Sequence, residues 1–394
     1  MAETLPDAPW TRREDLAALI AALGPGNTRY VGGAVRDTLL GIAVKDIDVA
    51  TPLVPAEVIA RLDRAGIRNV PTGIEHGTVT AVLAGGPVEI TTLRRDVATD
   101  GRRATVAFAT DWREDAARRD FTINALYADP ETLRIDDFFG GLSDLAARRV
   151  RFIGDARERI REDHLRILRY FRFQARFGSH PADTEAESAC AELASTLKGL
   201  SRERIGMETM NLLGLPDPAP TVARMAELGV LAQFLPEARP ETLAMLVAQE
   251  QAQAIAPDPL RRLAALLPPD PALAEQVASR FRLSSAQKKR LATAAARSDE
   301  QEAPRALAYR LSRSEALDRL LLAGAPVQAL EDWDIPQFPL KGGEIVARGV
   351  SAGPEVARTL RSIEERWISE GFPPRERVLD MLDEAIAVRG EDTG

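Results

Sequence analysis

Asp46 and Asp48 stand two residues apart in a short apolar run, KDIDVAT, and nothing else in the 394-residue sequence restricts the fold as much. In a strand, side chains at i and i+2 share a face, so both carboxylates project together while Ile47 and Val49 enter a core. Upstream, Gly32 and Gly33 open VGGAVRDTLLG, which reads as a helix stopped at Gly41. Glycines let the backbone approach an anion, N–H groups at a helix start favour it, and Arg36, one turn in, offers a planar fork of donors. Singly, these pieces are an ordinary glycine turn and a solvated strand end. Together, at this spacing, they describe a place for a phosphate and a hard divalent cation.

Such a site suits nucleotidyl transfer. Mg²⁺ binds through one or two carboxylates and completes its shell with water and substrate phosphates, so a two-carboxylate strand edge is sufficient protein ligation. Asp46 and Asp48 are the expected metal ligands and catalytic residues, with Mg²⁺, or Mn²⁺ as the alternative. Gly77 to Leu83 and Val88 to Leu93 read as a hairpin around Gly85-Gly86-Pro87. Glu89 on the second run is either a third carboxylate near the metal or a strand-edge charge. The polar stretch RRDVATDGRR, Arg94 to Arg103, reads as a mobile loop outside the sheet. His76 has no second histidine nearby and reads as a turn or core residue rather than a metal ligand.

Three further segments carry charge in patterns. In RRDFTINAL, Arg118, Arg119 and Asp120 lead an element whose Phe121 and Ile123 alternate with Thr122 and Asn124. Its arginines either bridge an element start or bind a triphosphate and sugar. In EDHLRILRYFR, Asp163, Arg166, Arg169 and Arg172 recur every three residues as a polar stripe on a helix. That stripe is either surface salt bridging or a rigid template reading a nucleobase edge. In SRERIGMETMNLL, Arg204 and Glu208 sit at i and i+4 and read as a helix brace. Before these, Thr11 to Leu23 reads as a helix capped by Thr11, and Asp137 to Leu145 as a loop closing the sheet domain.

Length allows two or three domains, and a mean hydropathy of −0.17 describes a soluble globular chain. The sequence lacks an apolar run of membrane-spanning length, and MAETLPDAPW lacks a signal pattern, so a cytoplasmic protein without a membrane partner is expected. The single Cys190 fits a reducing compartment and a small buried apolar role. A net charge of −8 argues mildly against nucleic acid, but arginine clusters from Arg94 to Arg119 and from Arg148 to Arg176, and the local field governs binding. Past Val150 the pattern is helical almost to the end, with proline clusters between short helices.

The motifs VGGAVRDTLLG, KDIDVAT, RRDFTINAL, EDHLRILRYFR and SRERIGME, in this order, resemble the series found in class II CCA-adding enzymes, the tRNA nucleotidyltransferase and poly(A) polymerase family. The stretch from Val88 to Leu126 is especially similar to the mitochondrial and alphaproteobacterial branch. The resemblance covers about Val31 to Glu208. It implies an α+β fold: a polymerase-beta-like head with a mixed sheet and helices (1–150), an all-α neck holding the nucleotide-selecting template (151–215), and a helical body and tail gripping tRNA (216–394). It implies that Gly33, Arg36 and Arg119 bind the incoming CTP or ATP, that Asp163 and Arg166 select C or A, and that Arg169 and Arg172 complete the pocket. The tRNA 3′ hydroxyl would attack the α-phosphorus with loss of pyrophosphate. A poly(A) polymerase, a CC-only or A-only enzyme, and an inactive RNA-binding protein are the alternatives. Retention of RRDVATDGRR favours full CCA synthesis, the intact carboxylate pair disfavours a mere binder, and three histidines are too few for an added metal phosphohydrolase domain. Monomer and homodimer stay open.

Overall fold

A computed structural model describes residues 3–99, 104–297 and 302–391. The chain divides into two compact units, Met1–Pro236 and Glu237–Gly394. Both boundaries expected from the sequence, at 150 and 215, fall within the first.

The first unit opens with α1 (Glu14–Leu23), whose Leu16, Leu19, Ile20 and Leu23 are all buried. Thr11 does not cap it: its hydroxyl donates to the Ala8 carbonyl at 2.8 Å within a 3-10 turn. Then come β1 (Arg29–Val31), α2 (Gly33–Leu39), β2 (Ile47–Thr51), α3 (Pro55–Arg64), β3 (Asn69–Gly73), β4 (Thr78–Leu83) and β5 (Gly86–Thr92). They are followed by β6 (Arg94–Thr99), β7 (Ala104–Phe108), α4 (Trp112–Ala117), β8 (Leu126–Ala128), β9 (Ile135–Asp137) and α5 (Gly141–Ala146). Seven strands form one mixed sheet in the order β3-β4-β5-β2-β1-β8-β9. β2 and β5 run parallel; the other neighbours are antiparallel. This is the expected mixed sheet with helices, and β2 lies inside it, with Ile47 and Val49 buried.

Three expectations change. The polar stretch after the hairpin is strand for most of its length, because β6 pairs with β7 as a separate antiparallel ribbon, Arg94 opposite Phe108 and Arg95 opposite Ala107. The backbone of β7 supplies the hydrogen-bond partner that the polar segment lacks by itself. Residues 100–103 of that stretch lie outside the described residues. The alternation in FTINAL is not one strand: Thr122–Asn124 is a 3-10 turn and β8 starts at Leu126. Thr122 and Asn124 are buried because the Thr122 hydroxyl donates to Asp144 at 2.6 Å and the Asn124 amide to Asp120 at 2.9 Å. The span from Asp137 to Leu145 holds a helix, α5, whose start is capped by the Asp137 carboxylate accepting N–H groups from Gly140, Gly141 and Leu142.

Helices complete the unit: α6 (Ala156–Glu162), α7 (Arg166–Phe177), α8 (Thr184–Glu192), α9 (Arg202–Leu213) and α10 (Ala219–Glu227). Tyr170 and Phe173 of α7 pack with Phe121 and Phe152 in an aromatic cluster, with contacting ring centroids 5.0–6.3 Å apart. Cys190 is buried, as expected, and burial pushes its thiol up. The second unit is helical throughout its described residues: α11 (Pro240–Ala252), α12 (Pro259–Leu266), α13 (Pro271–Arg280), α14 (Ser285–Ala295), α15 (Pro304–Arg310), α16 (Arg313–Leu322), α17 (Gly342–Val346), α18 (Pro354–Ser369) and α19 (Arg375–Glu391). Within it, buried Arg261 joins Glu250 at 2.7 Å and Asp318 at 2.9 Å, and Arg262 joins Glu250 at 2.8 Å. Among the described residues no helix is long and apolar enough to cross a membrane.

Candidate active site

The acidic edge is built by strand pairing. Asp46 lies just ahead of β2 and is exposed; Asp48 lies on β2 and is half-buried. Parallel registration places Glu89 of β5 directly opposite Asp48. Burial raises the Asp48 carboxyl above its usual range, the charges of Glu89 and Asp46 raise it further, and Arg119 pulls it back. Like charges gathered on neighbouring strands are a reason for a cation to bind there. Among the described residues, no group of three or more Asp, Glu, His or Cys side chains is arranged to hold a metal. The two carboxylates of Asp46 and Asp48, with Glu89 in register beside Asp48, fit a hard divalent ion that takes most of its ligands from water and phosphate.

The glycine turn faces the same place. Gly32 has φ 66°, in the left-handed region, and a Cβ there would sit 3.5 Å from Arg119 Nη1 and 3.7 Å from the Asn124 carbonyl oxygen. Gly33 begins α2, with Arg36 Nη2 3.8 Å from where its Cβ would be. Arg36 itself is buried and committed: Nε donates to Asp37 at 2.8 Å, Nη1 donates to Asn124, and the guanidinium lies 4.1 Å from the Phe177 ring centroid. Its burial lowers the guanidinium's affinity for its proton, and Asp37 opposes that. Arg119 is held differently. Its Nε donates to the Tyr127 hydroxyl at 3.0 Å and its Nη2 to Asp115 at 3.3 Å, leaving it beside the turn and within electrostatic reach of Asp48.

The arginine stripe is real, but Asp163 is not on the helix. It sits in extended conformation between α6 and α7, where Oδ1 accepts the Leu165 N–H at 3.1 Å and Oδ2 accepts from Arg204 Nη2 at 2.8 Å. Arg166 starts α7; Nη1 donates to the Arg159 carbonyl at 2.9 Å and to Glu162 at 2.5 Å, and Nη2 to the Arg118 carbonyl at 3.0 Å. Arg169 Nε donates to Asp120 at 2.8 Å, and Arg172 Nε donates to Glu208 at 2.6 Å. The stripe is thus fastened to the RRD segment on one side and to α9 on the other. Arg204 and Glu208 do not brace one another: each reaches off its own helix to a residue of the stripe.

Sequence reasoning named Asp46, Asp48, Glu89, Gly33, Arg36, Arg119, Asp163, Arg166, Arg169 and Arg172. It did not name Asp115, Asp120, Tyr127, Arg204 or Glu208 as parts of the site. Asp120 was legible as the acid following two arginines. Tyr127 and Asp115 carried no signal, since their partners are fixed only by packing.

The chain matches the family model of the poly A polymerase head domain over residues 28–151, and that of the probable RNA and SrmB-binding site of polymerase A over residues 183–241. It is 34% identical over 363 residues to the mitochondrial CCA tRNA nucleotidyltransferase 1 of Mus musculus, covering 87% of this chain and 83% of that one. With the Danio rerio protein of the same name it is 36% identical over 360 residues, covering 86% and 83%. The crystal structure of the Bacillus stearothermophilus CCA-adding enzyme in complex with CTP superimposes with a TM-score of 0.72 at 27% identity, over 96% of this chain and 98% of that one.

Proposed function

The chain belongs to the CCA tRNA nucleotidyltransferase family, and from that premise we propose which of its residues perform the reaction. The enzyme adds C, C and A to the 3′ end of tRNA from CTP and ATP without a nucleic-acid template. Asp46 and Asp48 hold Mg²⁺, and Glu89, in register with Asp48, adds negative charge that strengthens the ion's hold on that edge. When bound, the ion neutralises phosphate charge and polarises the α-phosphoryl group.

The remaining work is positioning. Gly32 and Gly33 let the triphosphate approach the start of α2, and Arg119 reaches it from beside the turn. Arg36, enclosed by Asp37, Asn124 and Phe177, shapes that wall from within. Asp163 and Arg166 face the base. Each Asp163 oxygen has one bond to protein and a lone pair to spare. Arg166 spends three donors on Arg159, Glu162 and Arg118, and its Nε–H and second Nη2–H have no protein partner among the described residues. An acceptor beside two donors, all locked, complements a pyrimidine or purine edge without a template strand. Arg169 and Arg172 line the same face. The tRNA 3′ hydroxyl then attacks the α-phosphorus, the bond to the β-phosphate oxygen breaks, and pyrophosphate leaves. The body and tail, residues 216–394, hold the tRNA, and a cytoplasmic location is part of the same proposal.

The observation that supports this reading most is the fastening of Asp163 to Arg204, because a carboxylate meant only to cap a helix needs no second anchor. Primer extension tests it: three tRNA transcripts, ending before CCA, after C and after CC, are supplied with CTP and ATP singly and together, with Mg²⁺. Extension that stops at CCA on all three is expected. Long A tails, or A addition only, would reassign the chain within its family.

A further inference from the structure

Asp115, on α4, is almost wholly buried, and its carboxylate gathers four donors that belong to different parts of the site. Oδ1 accepts the backbone N–H of Arg94 at 3.1 Å and Arg118 Nε at 2.8 Å. Oδ2 accepts the Tyr127 hydroxyl at 2.6 Å and Arg119 Nη2 at 3.3 Å. Arg94 is the first residue of β6, the foot of the separate ribbon. The Arg118 carbonyl receives Arg166, while Arg119 opposes Asp48. Because the Tyr127 hydroxyl spends its proton on Asp115, its lone pairs are turned to Arg119 Nε at 3.0 Å. Burial by itself would raise the Asp115 carboxyl, but Arg119, Arg118 and Tyr127 hold it down at about 2.

A buried anion that served folding alone would need its charge balanced. It would not need one oxygen given to the ribbon foot and the other to the arginine of the acidic edge. We propose that Asp115 is a positioning residue for nucleotide binding: through Tyr127 and Arg119 it aims the guanidinium beside the glycine turn, and through Arg94 it fixes the ribbon to the same point. Ribbon and arginine are then one mechanical unit. The proposal rests on the reading of Arg119 as a nucleotide contact.

Asparagine at this position keeps the shape but presents an NH₂ to groups that are themselves donors. Calorimetric titration of the full-length protein with CTP and Mg²⁺ compares Asp115→Asn, Arg119→Lys and the double variant. Asp115→Asn is expected to weaken CTP binding roughly tenfold, the scale of one charge-assisted hydrogen bond. In the Arg119→Lys background the same change is expected to add less than about twofold, since coupled residues are not additive. Amide hydrogen exchange at the Arg94 N–H, read in a peptide that begins several residues upstream of it, is expected to accelerate. A penalty of equal size in both backgrounds would overturn the proposal, as would unchanged CTP affinity in a folded Asp115→Asn protein. If Arg119→Lys alone leaves CTP affinity intact, the fault lies in the reading of Arg119. Should Asp115→Asn fail to fold, Tyr127→Phe carries the test: severalfold weaker CTP binding supports the relay, and unchanged binding removes it.

Discussion

Asp163 and Arg204, 41 residues apart in sequence, are joined by a 2.8 Å hydrogen bond that runs from the guanidinium of α9 to a carboxylate lying between two other helices. The bond fixes one oxygen of the acid proposed to read the incoming base. Arg204→Ala should leave the fold intact, since both partners are about one-third exposed, yet let Asp163 rotate. The ratio of wrong C addition to correct A addition is expected to rise about tenfold, the worth of a hydrogen bond to a charged group. Single-nucleotide addition on transcripts ending after CC measures it.

Arg166 is the complementary half of that recognition. Arg166→Ala removes both free donors and also the clamp on the Arg118 carbonyl. Discrimination between CTP and ATP is expected to fall by roughly ten- to a hundredfold, with addition itself slowed less. Unchanged selectivity in the same assay would take Arg166 out of the base-reading role.

Asp48 carries a conflict between stability and function. Its folded-state carboxyl lies above the ordinary value, so between about 3.9 and the raised value the folded protein binds more protons than the unfolded one. Stability without metal therefore falls as pH rises through that window. Asp48→Asn is expected to melt at a higher temperature than the native protein above that window in EDTA, while losing nucleotide addition. Mg²⁺ should raise the melting temperature of the native protein and not that of the variant. Calorimetric scans with and without the ion decide this.

Asp46→Ala separates chemistry from substrate holding. Asp46 is exposed and outside the core, so the variant should fold and bind tRNA, measured by filter retention, with affinity within about twofold of native. It should not extend any of the three transcripts. Full activity would remove Asp46 from the metal site.

In the second unit, Asp318 is fully buried and takes Arg261 at 2.9 Å and Arg290 at 2.7 Å. Asp318→Ala leaves Arg261 enclosed with one carboxylate, Glu250, where it had two. A loss of about 3–5 kcal/mol is expected, read as a lowered melting transition. Added NaCl should not reproduce the loss, because buried pairs are weakly screened.

Parts of the molecule whose rules are local could be read from the order of residues. Period-two alternation placed Asp46 and Asp48 around buried Ile47 and Val49, the glycine pair started α2, and the spacing of Arg166, Arg169 and Arg172 put them on one face of α7. Backbone geometry alone makes those relationships, so neighbours along the chain suffice to read them. Relationships between residues distant in sequence arise only when the chain packs. Packing set Glu89 opposite Asp48, turned a polar stretch into β6 by supplying β7, and moved Asp163 off the helix to meet Arg204. It also closed Arg36 between Asp37 and Asn124 and gathered four donors on Asp115. A charge buried among apolar groups must find its partner wherever packing brings one, and sequence spacing carries no record of that choice.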